Sequence, residues 1–385
     1  MCVNLHRTYI RDFKSILMRL ITVKSKFLTV LFLSFCFASF ADSSEKVNNE
    51  DQKFNPKEMI LHHVKDAYGM HIATLNANED HPTHISIPLP VIVYTEKGFT
   101  AFSSSAFHHD YHGQEIVERN GQRFINLHEK VYVLDPGAKH VVLGADGSAS
   151  NAHRPKFDLS ITRNVFMMWV SIALLLFIFL SASRRYKKSE KYVPSGIASF
   201  VEPLIVFVRD EIGKPMIGEQ KYDRYMPYLL TVFFFIWINN IFGLIPILNG
   251  ANLSGNIAFT FTLATLTFII TTFSANKNYW EHIFWMPGLP VPMKIFLMPI
   301  EIIGIFIKPV SLMIRLFANI TAGHVIILAL MSLIFVFKTI AIAPVSVAFS
   351  LFITVIEVIV TAIQAYIFTI LSALYFGMAT EEKHH

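Results

Sequence analysis

Apolar side chains fall on alternate positions at Ile85, Ile87, Leu89, Val91 and Val93, just before the turn-forming Glu96-Lys97-Gly98. A period of two is the spacing of a strand with one covered face. Pro88 and Pro90 lack the N–H that a ladder needs, which predicts that this strand lies at a sheet edge. "YVLDPGAKHVVLGADG" (132–147) reads as a second strand–turn–strand, pivoting on Asp135-Pro136-Gly137. These patterns predict a small β-rich domain of about 120 residues, within the usual domain range.

Beyond residue 164 the alternation gives way to continuous apolar runs of the length that crosses a bilayer. Crossings are predicted at about 165–183, 226–247, 257–273, 295–337 and 344–377. The last two are long. As continuous helices they would measure about 64 Å and 51 Å, against roughly 30 Å of hydrocarbon. Neither contains a polar loop that would divide it. Strong tilting resolves the mismatch, with Pro309 a candidate bend and the turn near Lys338 and Pro344. The segment 196–214 differs: its apolar core is too short to span, and it carries Glu202, Arg209, Asp210 and Glu211. An amphipathic helix lying on the membrane surface is the expectation. The fold class is therefore membrane all-α, with five crossings that include a long tilted hairpin, one interfacial helix and a small β-rich amino-terminal domain.

Composition agrees. The 385 residues are 53% hydrophobic and include 35 phenylalanines, above the usual soluble range. The net charge is +5 and the basic residues flank apolar runs, so no nucleic-acid partner is expected. Arg184, Arg185, Lys187 and Lys188 follow the first crossing, which orients it from outside to inside. The β-rich domain (42–163) is then exported, or periplasmic, and the carboxyl terminus of the membrane domain (164–382) is cytoplasmic. Lys24 and Lys26 before the apolar run 27–40, with Ser39-Phe40-Ala41 as a small-residue cleavage site, read as a signal peptide over 1–41. An uncleaved anchor is the alternative. Both cysteines, Cys2 and Cys36, fall in that segment.

The ionisable residues inside the apolar runs carry the chemistry. Between Pro309 and Phe337 only Arg315 and His324 can hold charge, and no acid accompanies Arg315. An arginine at the centre of a membrane helix costs roughly 2.5–3.5 kcal/mol on insertion scales. A carboxylate from another protein is the natural offset. Glu301, Lys308, Arg315 and Asn319 share one stripe by helical spacing. On the opposite arm Glu357 and Gln364 share a face about 10 Å apart. An antiparallel hairpin sets Glu357 roughly level with His324, outward of Arg315, and leaves Glu301 far inward. Arginine stays charged where a buried lysine loses its proton, so Arg315 suits a divider between two partial polar paths. Histidine and desolvated glutamate both exchange protons near neutral pH. Asn319 and Gln364 also fit interhelical hydrogen-bonding glue, and a Glu357–His324 pair fits a structural contact. Asn239 and Asn240 are left between packing and path lining. The histidines of the β-rich segment, His62, His63, His108, His109 and His112, are read as solvated; no metal or cofactor is assigned.

"KPVSLMIRLFANITAGHVI" (308–326) and "ITVIEVIVTAIQAYIFTIL" (353–371) resemble subunit a of F-type ATP synthases. "VPSGIASFVEPLIVFV" (193–208) and "FGLIP" (242–246) add matches in the same order. The resemblance covers about 160–382. It implies a channel subunit of the cell inner membrane, not itself an enzyme, within the proton-translocating ATP synthase. Implied partners are a proteolipid c-ring whose carboxylate faces Arg315, the peripheral-stalk b subunit, other synthase subunits and the lipid bilayer. Arg315 matches the family's essential arginine. Asn319 and Gln364 match its polar neighbours, His324 and Glu357 the half-channel open to the exported side, and Glu301 the cytoplasmic half-channel. Many bacterial members carry Glu and His in the reverse order. The signal peptide and β-rich domain extend beyond the family core, and shielding of the outer ion entrance is one role for them. Rival readings are a sodium-driven version of the motor, a stand-alone ion-coupled transporter, and a membrane-anchored metalloenzyme. No internal repeat favours the transporter, and no phosphate-binding GxxxxGK[ST] loop is present.

Overall fold

The computed structural model describes residues 65–75, 83–108, 110–138, 140–144, 149–188, 196–245, 253–286, 288–337, 339 and 342–381. The signal peptide expected over 1–41, and His62, His63 and His109, lie outside the described residues.

The amino-terminal part is built from short antiparallel strands: β1 (Gly69–Leu75), β2 (Thr83–Pro88), β3 (Pro90–Thr95), β4 (Gly98–Ser103), β5 (Val117–Arg119), β6 (Gln122–Leu127), β7 (Lys130–Leu134), β8 (Ala152–His153) and β9 (Phe157–Asp158). They form sheets ordered β1-β2, β4-β3-β9 and β5-β6-β7-β8. Val91 and Val93 point inward with Phe102, Phe107, Phe124, Val131 and Val133, and Leu89 is buried, so the second half of the alternating run forms a covered face. The run is broken between β2 and β3, which lie in different sheets, and Ile87 on β2 is 40% exposed. Tyr68 ties the end of this core together by donating to Asp158 Oδ2 at 2.5 Å.

Two further details differ from the sequence reading. β3, which carries Pro90, is the central strand of its sheet. It tolerates the proline because the chain after β9 asks only for an acceptor there: the Ile161 N–H donates to the Pro90 carbonyl at 3.0 Å, which needs no N–H from the proline. The chain after Asp135-Pro136-Gly137 also does not return at once as a strand. The partner of β7 is Ala152–His153.

Eight helices follow among the described residues: α1 (Arg163–Lys188), α2 (Ile197–Phe207), α3 (Lys214–Ile217), α4 (Tyr222–Leu244), α5 (Ile257–Ser274), α6 (Lys277–Phe284), α7 (Val291–Phe337) and α8 (Ala343–Thr380). Five of them, α1, α4, α5, α7 and α8, are long and apolar enough to cross a membrane. α2 runs through a π turn, Val208–Gly213, into α3, which extends the expected surface helix by one more turn. Arg209 is buried in that turn, and its guanidinium grips Asp210 with two bonds of 2.9 and 2.8 Å.

α7 is 47 residues long and continues as helix through Pro299 and Pro309; α8 is 38 residues long. At 1.5 Å per residue they measure about 70 and 57 Å, well beyond a bilayer's hydrocarbon core. α8 packs most extensively on α4 and then on α7, while α7 also rests on α5. Burial is unequal. The most apolar 18-residue stretch of α4 is two thirds enclosed (67%), against 11% for that of α7. α4 is therefore the bundle's centre, and α7 presents most of its surface outward.

Candidate functional site

The long arm α7 buries Leu312, Leu316 and Ile320, an i, i+4, i+8 stripe seated on the bundle. Arg315 and Asn319, also four apart, fall on the side left uncovered. Arg315 is thus offered to whatever lies against this face and is not paired within the helix hairpin. Gln364 lies on α8, 3% exposed, beside the fully enclosed Thr361 and Ala365. It belongs to the packed side of α8 and does not share the open face of Asn319.

Glu357 is 4% exposed, and its carboxylate rests against the α-carbon of Gly323, next to His324. The two helices approach closely here because position 323 has no side chain. Both Glu357 oxygens and His324 Nε2 are enclosed without a hydrogen-bond partner among the described residues, as is Thr321 Oγ1. Buried polar atoms in this state are satisfied by water or by an incoming proton donor. Glu357 thus packs at the level of Gly323, the sequence neighbour of His324, about 12 Å along α7 from Arg315.

On the other side of Arg315 lies a small cleft bordered by Thr267, Tyr279, Lys308, Pro309, Tyr375 and Met378. Lys308 sits 5.8 Å from the Tyr375 ring centre, a cation–π distance. Tyr375 is also within electrostatic reach of Arg315, and Tyr279 of Glu301. Burial, with the Glu301 charge second, raises the Tyr279 phenol above its ordinary value. Half-buried Glu301 thus stands near this inner cleft. A further buried polar line joins Tyr228 to Thr267 at 2.6 Å and Thr267 to Ser372 at 3.4 Å. Tyr279 and Tyr375 were not singled out from sequence: tyrosine is neutral at physiological pH and gives no charge signal. The second intramembrane polar pair is Asn239, buried on its own helix, and Asn240, whose Oδ1 accepts from Ser254 at 2.5 Å. Among the described residues no three His, Cys, Asp or Glu gather as a metal site.

The family model described as "ATP synthase A chain" matches residues 165–377, and a model described as a domain of unknown function (DUF8433) matches 59–159. ATP synthase subunit a of Chloroherpeton thalassium is 47% identical over 244 residues, 60% of this chain and 72% of the relative. ATP synthase subunit a 2 of Prosthecochloris aestuarii is 45% identical over 236 residues, 60% of this chain and 71% of its own. The subunit a of Pelodictyon phaeoclathratiforme is 43% identical over 246 residues, with 60% and 71% covered. The chain belongs to the ATP synthase A chain family, the multi-pass membrane proteins that form the proton-channel part of the F-type ATP synthase stator.

Proposed function

We propose that this channel subunit conducts protons through two half-channels separated by Arg315. The observation that carries the reading is an unburied Arg315 on the open face of α7, with an enclosed acid–imidazole pair on one side of it and a tyrosine-lined cleft on the other. A proton enters from the exported side past His324 and Glu357 and neutralises a carboxylate on the rotating c-ring. After nearly a full rotation it leaves through the cleft near Glu301 and Lys308. The open face of α7 is the ring-facing surface, and the ring carboxylate offsets the cost of placing Arg315 in lipid. Asn319 hydrogen-bonds in the same interface, while Gln364 supports it from the packed side of α8. The peripheral-stalk b subunit and the bilayer cover the remaining apolar surface.

In this reading the chain sits in the cell inner membrane, with a signal peptide at 1–41, residues 42–163 in the periplasm, and the end of α8 in the cytoplasm. The cluster Arg184, Arg185, Lys187 and Lys188 after the first crossing supports that orientation. No sulfur, nucleotide or metal chemistry is required. Each elementary charge falling through 100 mV releases about 2.3 kcal/mol, so a leak past Arg315 would directly lower the yield of ATP.

ATP-driven acidification of inverted membrane vesicles tests the reading. Arg315→Ala in fully assembled complexes is expected to abolish acidification. Undiminished pumping by that variant would show that Arg315 is structural and would end the two-channel assignment.

A further inference from the structure

Every side chain that α8 buries before Ala365 is polar: Ser346, Ser350, Glu357, Thr361 and Gln364. Val347, Leu351, Val355 and Val358 of the same stretch are exposed. Turning aliphatics outward suits lipid, but each hydroxyl turned inward still needs a partner. A helix carbonyl is the usual one for serine and threonine. Thr361 donates to the Val358 carbonyl at 2.7 Å, Thr354 to that of Ser350 at 2.8 Å, and Ser346 to that of Leu330 on α7. Ser350 breaks the pattern: it is 2% exposed, and its Oγ has no partner among the described residues. Its place in the hairpin is defined. α7 and α8 touch where Ser346 meets Leu330 and where the Glu357 carboxylate lies on Gly323. Ser350 falls between those two levels on α8, as His324 does on α7. Ser350 and Glu357 are seven residues apart, so they share one face of the helix, about 10 Å apart along its axis.

We propose that Ser350 is a positioning residue of the uptake path, its hydroxyl holding the water through which protons reach Glu357 from the exported end of the hairpin. The inference rests on the reading of His324 and Glu357 as the uptake pair. A buried water is held by two to four polar partners. Ser350 Oγ, His324 Nε2 and both Glu357 oxygens are enclosed without a hydrogen-bond partner among the described residues, and they lie in one segment of the hairpin. That segment is polar enough to hold water where an apolar one would stay dry. The serine keeps its own proton. Its hydroxyl accepts a hydrogen bond from one water and donates one to another, and the excess proton passes along the waters to the carboxylate. A second acid at this position would bind the proton itself; an un-ionised hydroxyl orients water without trapping what it carries.

The test is ATP-driven acidification of inverted vesicles carrying the complete complex, scored per assembled complex, with Ag+ enclosed in the lumen, the exported side. Ser350→Cys puts a thiol at the same point. Silver binds the thiolate, which forms where water can take the thiol proton. Ag+ is expected to stop pumping by Ser350→Cys and to leave the native complex and Leu351→Cys unaffected, since the adjacent Leu351 is 66% exposed on the lipid side. Pumping by Ser350→Cys that Ag+ does not touch would mean that no water reaches this position, and would overturn the proposal. Ser350→Ala is expected to pump roughly three- to tenfold more slowly, the worth of one hydrogen bond. Fewer complexes, each pumping at the native rate, would make Ser350 a packing residue and overturn the proposal as well. Should the cysteine variant fail to assemble, Ser350→Ala decides the matter alone. Glu357→Gln is the control for the reading beneath: native pumping in that variant would remove the uptake pair itself, whatever Ag+ does at position 350.

Discussion

The Glu357 carboxylate occupies the space that a side chain at Gly323 would need. A single methyl there would overlap Oε1, so α7 and α8 touch at this level only because one of them carries glycine. Both Glu357 oxygens are enclosed, so the carboxylate has to turn to make room. Gly323→Ala should cost about 1–3 kcal/mol as overpacking and rotate Glu357 away from His324. Pumping by inverted vesicles should fall about tenfold or more, because a displaced proton-exchanging carboxylate loses the acid–base contribution of its position. The chain's membrane level, read by immunoblot, should change much less. Native pumping at native level would show that the Glu357 position is not critical for conduction.

A second glycine has a purely mechanical role. A methyl on Gly377 would strike the backbone carbonyl of Met216, which locks the end of α8 against α3. At Gly213 the same addition would meet Met226 Sδ at 2.9 Å, the far part of a flexible side chain. Backbone cannot step aside and a thioether can. Gly377→Ala should therefore lower the melting temperature of the detergent-solubilised complex clearly more than Gly213→Ala does. Equal shifts, or the reverse order, would remove this account of the contact.

The membrane part was legible in sequence because its signals are local. Arg315 and Asn319 share a stripe by helical spacing alone, and Leu312, Leu316 and Ile320 form the apolar stripe beside it, about 80° round the helix. The lengths of α7 and α8 follow from uninterrupted apolar runs. What escaped depended on partners distant in the chain. Pro90 suggested an edge strand, yet whether a strand is central is decided by where β9 lands, more than sixty residues on. The β6–β7 hairpin turns on His128-Glu129, which carries no asparagine or glycine to announce a tight turn. Tyr279 and Tyr375 become site residues only when α6 and α8 converge on α7 around the inner cleft. Gln364 and Glu357 do share a face, as their spacing predicts, but that this is the packed side of α8 is a choice that helix spacing cannot make without knowing where α4 sits.

The carboxyl end of α8 is capped from elsewhere in the chain. Lys221 Nζ donates to the Thr380 carbonyl at 2.7 Å and Asn276 Nδ2 to the same oxygen at 3.0 Å, while the Asn276 N–H donates to Ala379 O at 2.8 Å. The last carbonyls of a helix lack internal donors, and a cation there also meets the negative end of the dipole. Lys221→Met should cost about 1.5–3 kcal/mol as a lost charged hydrogen bond, and Asn276→Ala about 1 kcal/mol. The check is amide exchange over the last turn of α8, which should speed up more in Lys221→Met than in Asn276→Ala. Unchanged exchange in both would mean that this end is held by packing on α4 alone.

The π turn carries an ion cluster with a definite pH signature. Two bonds from the buried Arg209 and one from Lys214, at 2.9 Å, hold Asp210 down at about 2, against an ordinary 3.8. Because Asp210 binds protons less readily when folded, its stabilisation is complete above about pH 4 and is lost as pH falls towards 2. Its side chain is 35% exposed, so solvent screening limits the effect to about 1 kcal/mol or less. Asp210→Asn should therefore melt below the native protein at pH 6 and at pH 5 by the same margin, and that margin should shrink by pH 3. Intrinsic-fluorescence melting of the detergent-solubilised complex at the three values measures it. A margin that stays constant down to pH 3 would mean that the Asp210 charge contributes nothing, and that the π turn is held by the burial of Val208 and Ile212 against α4.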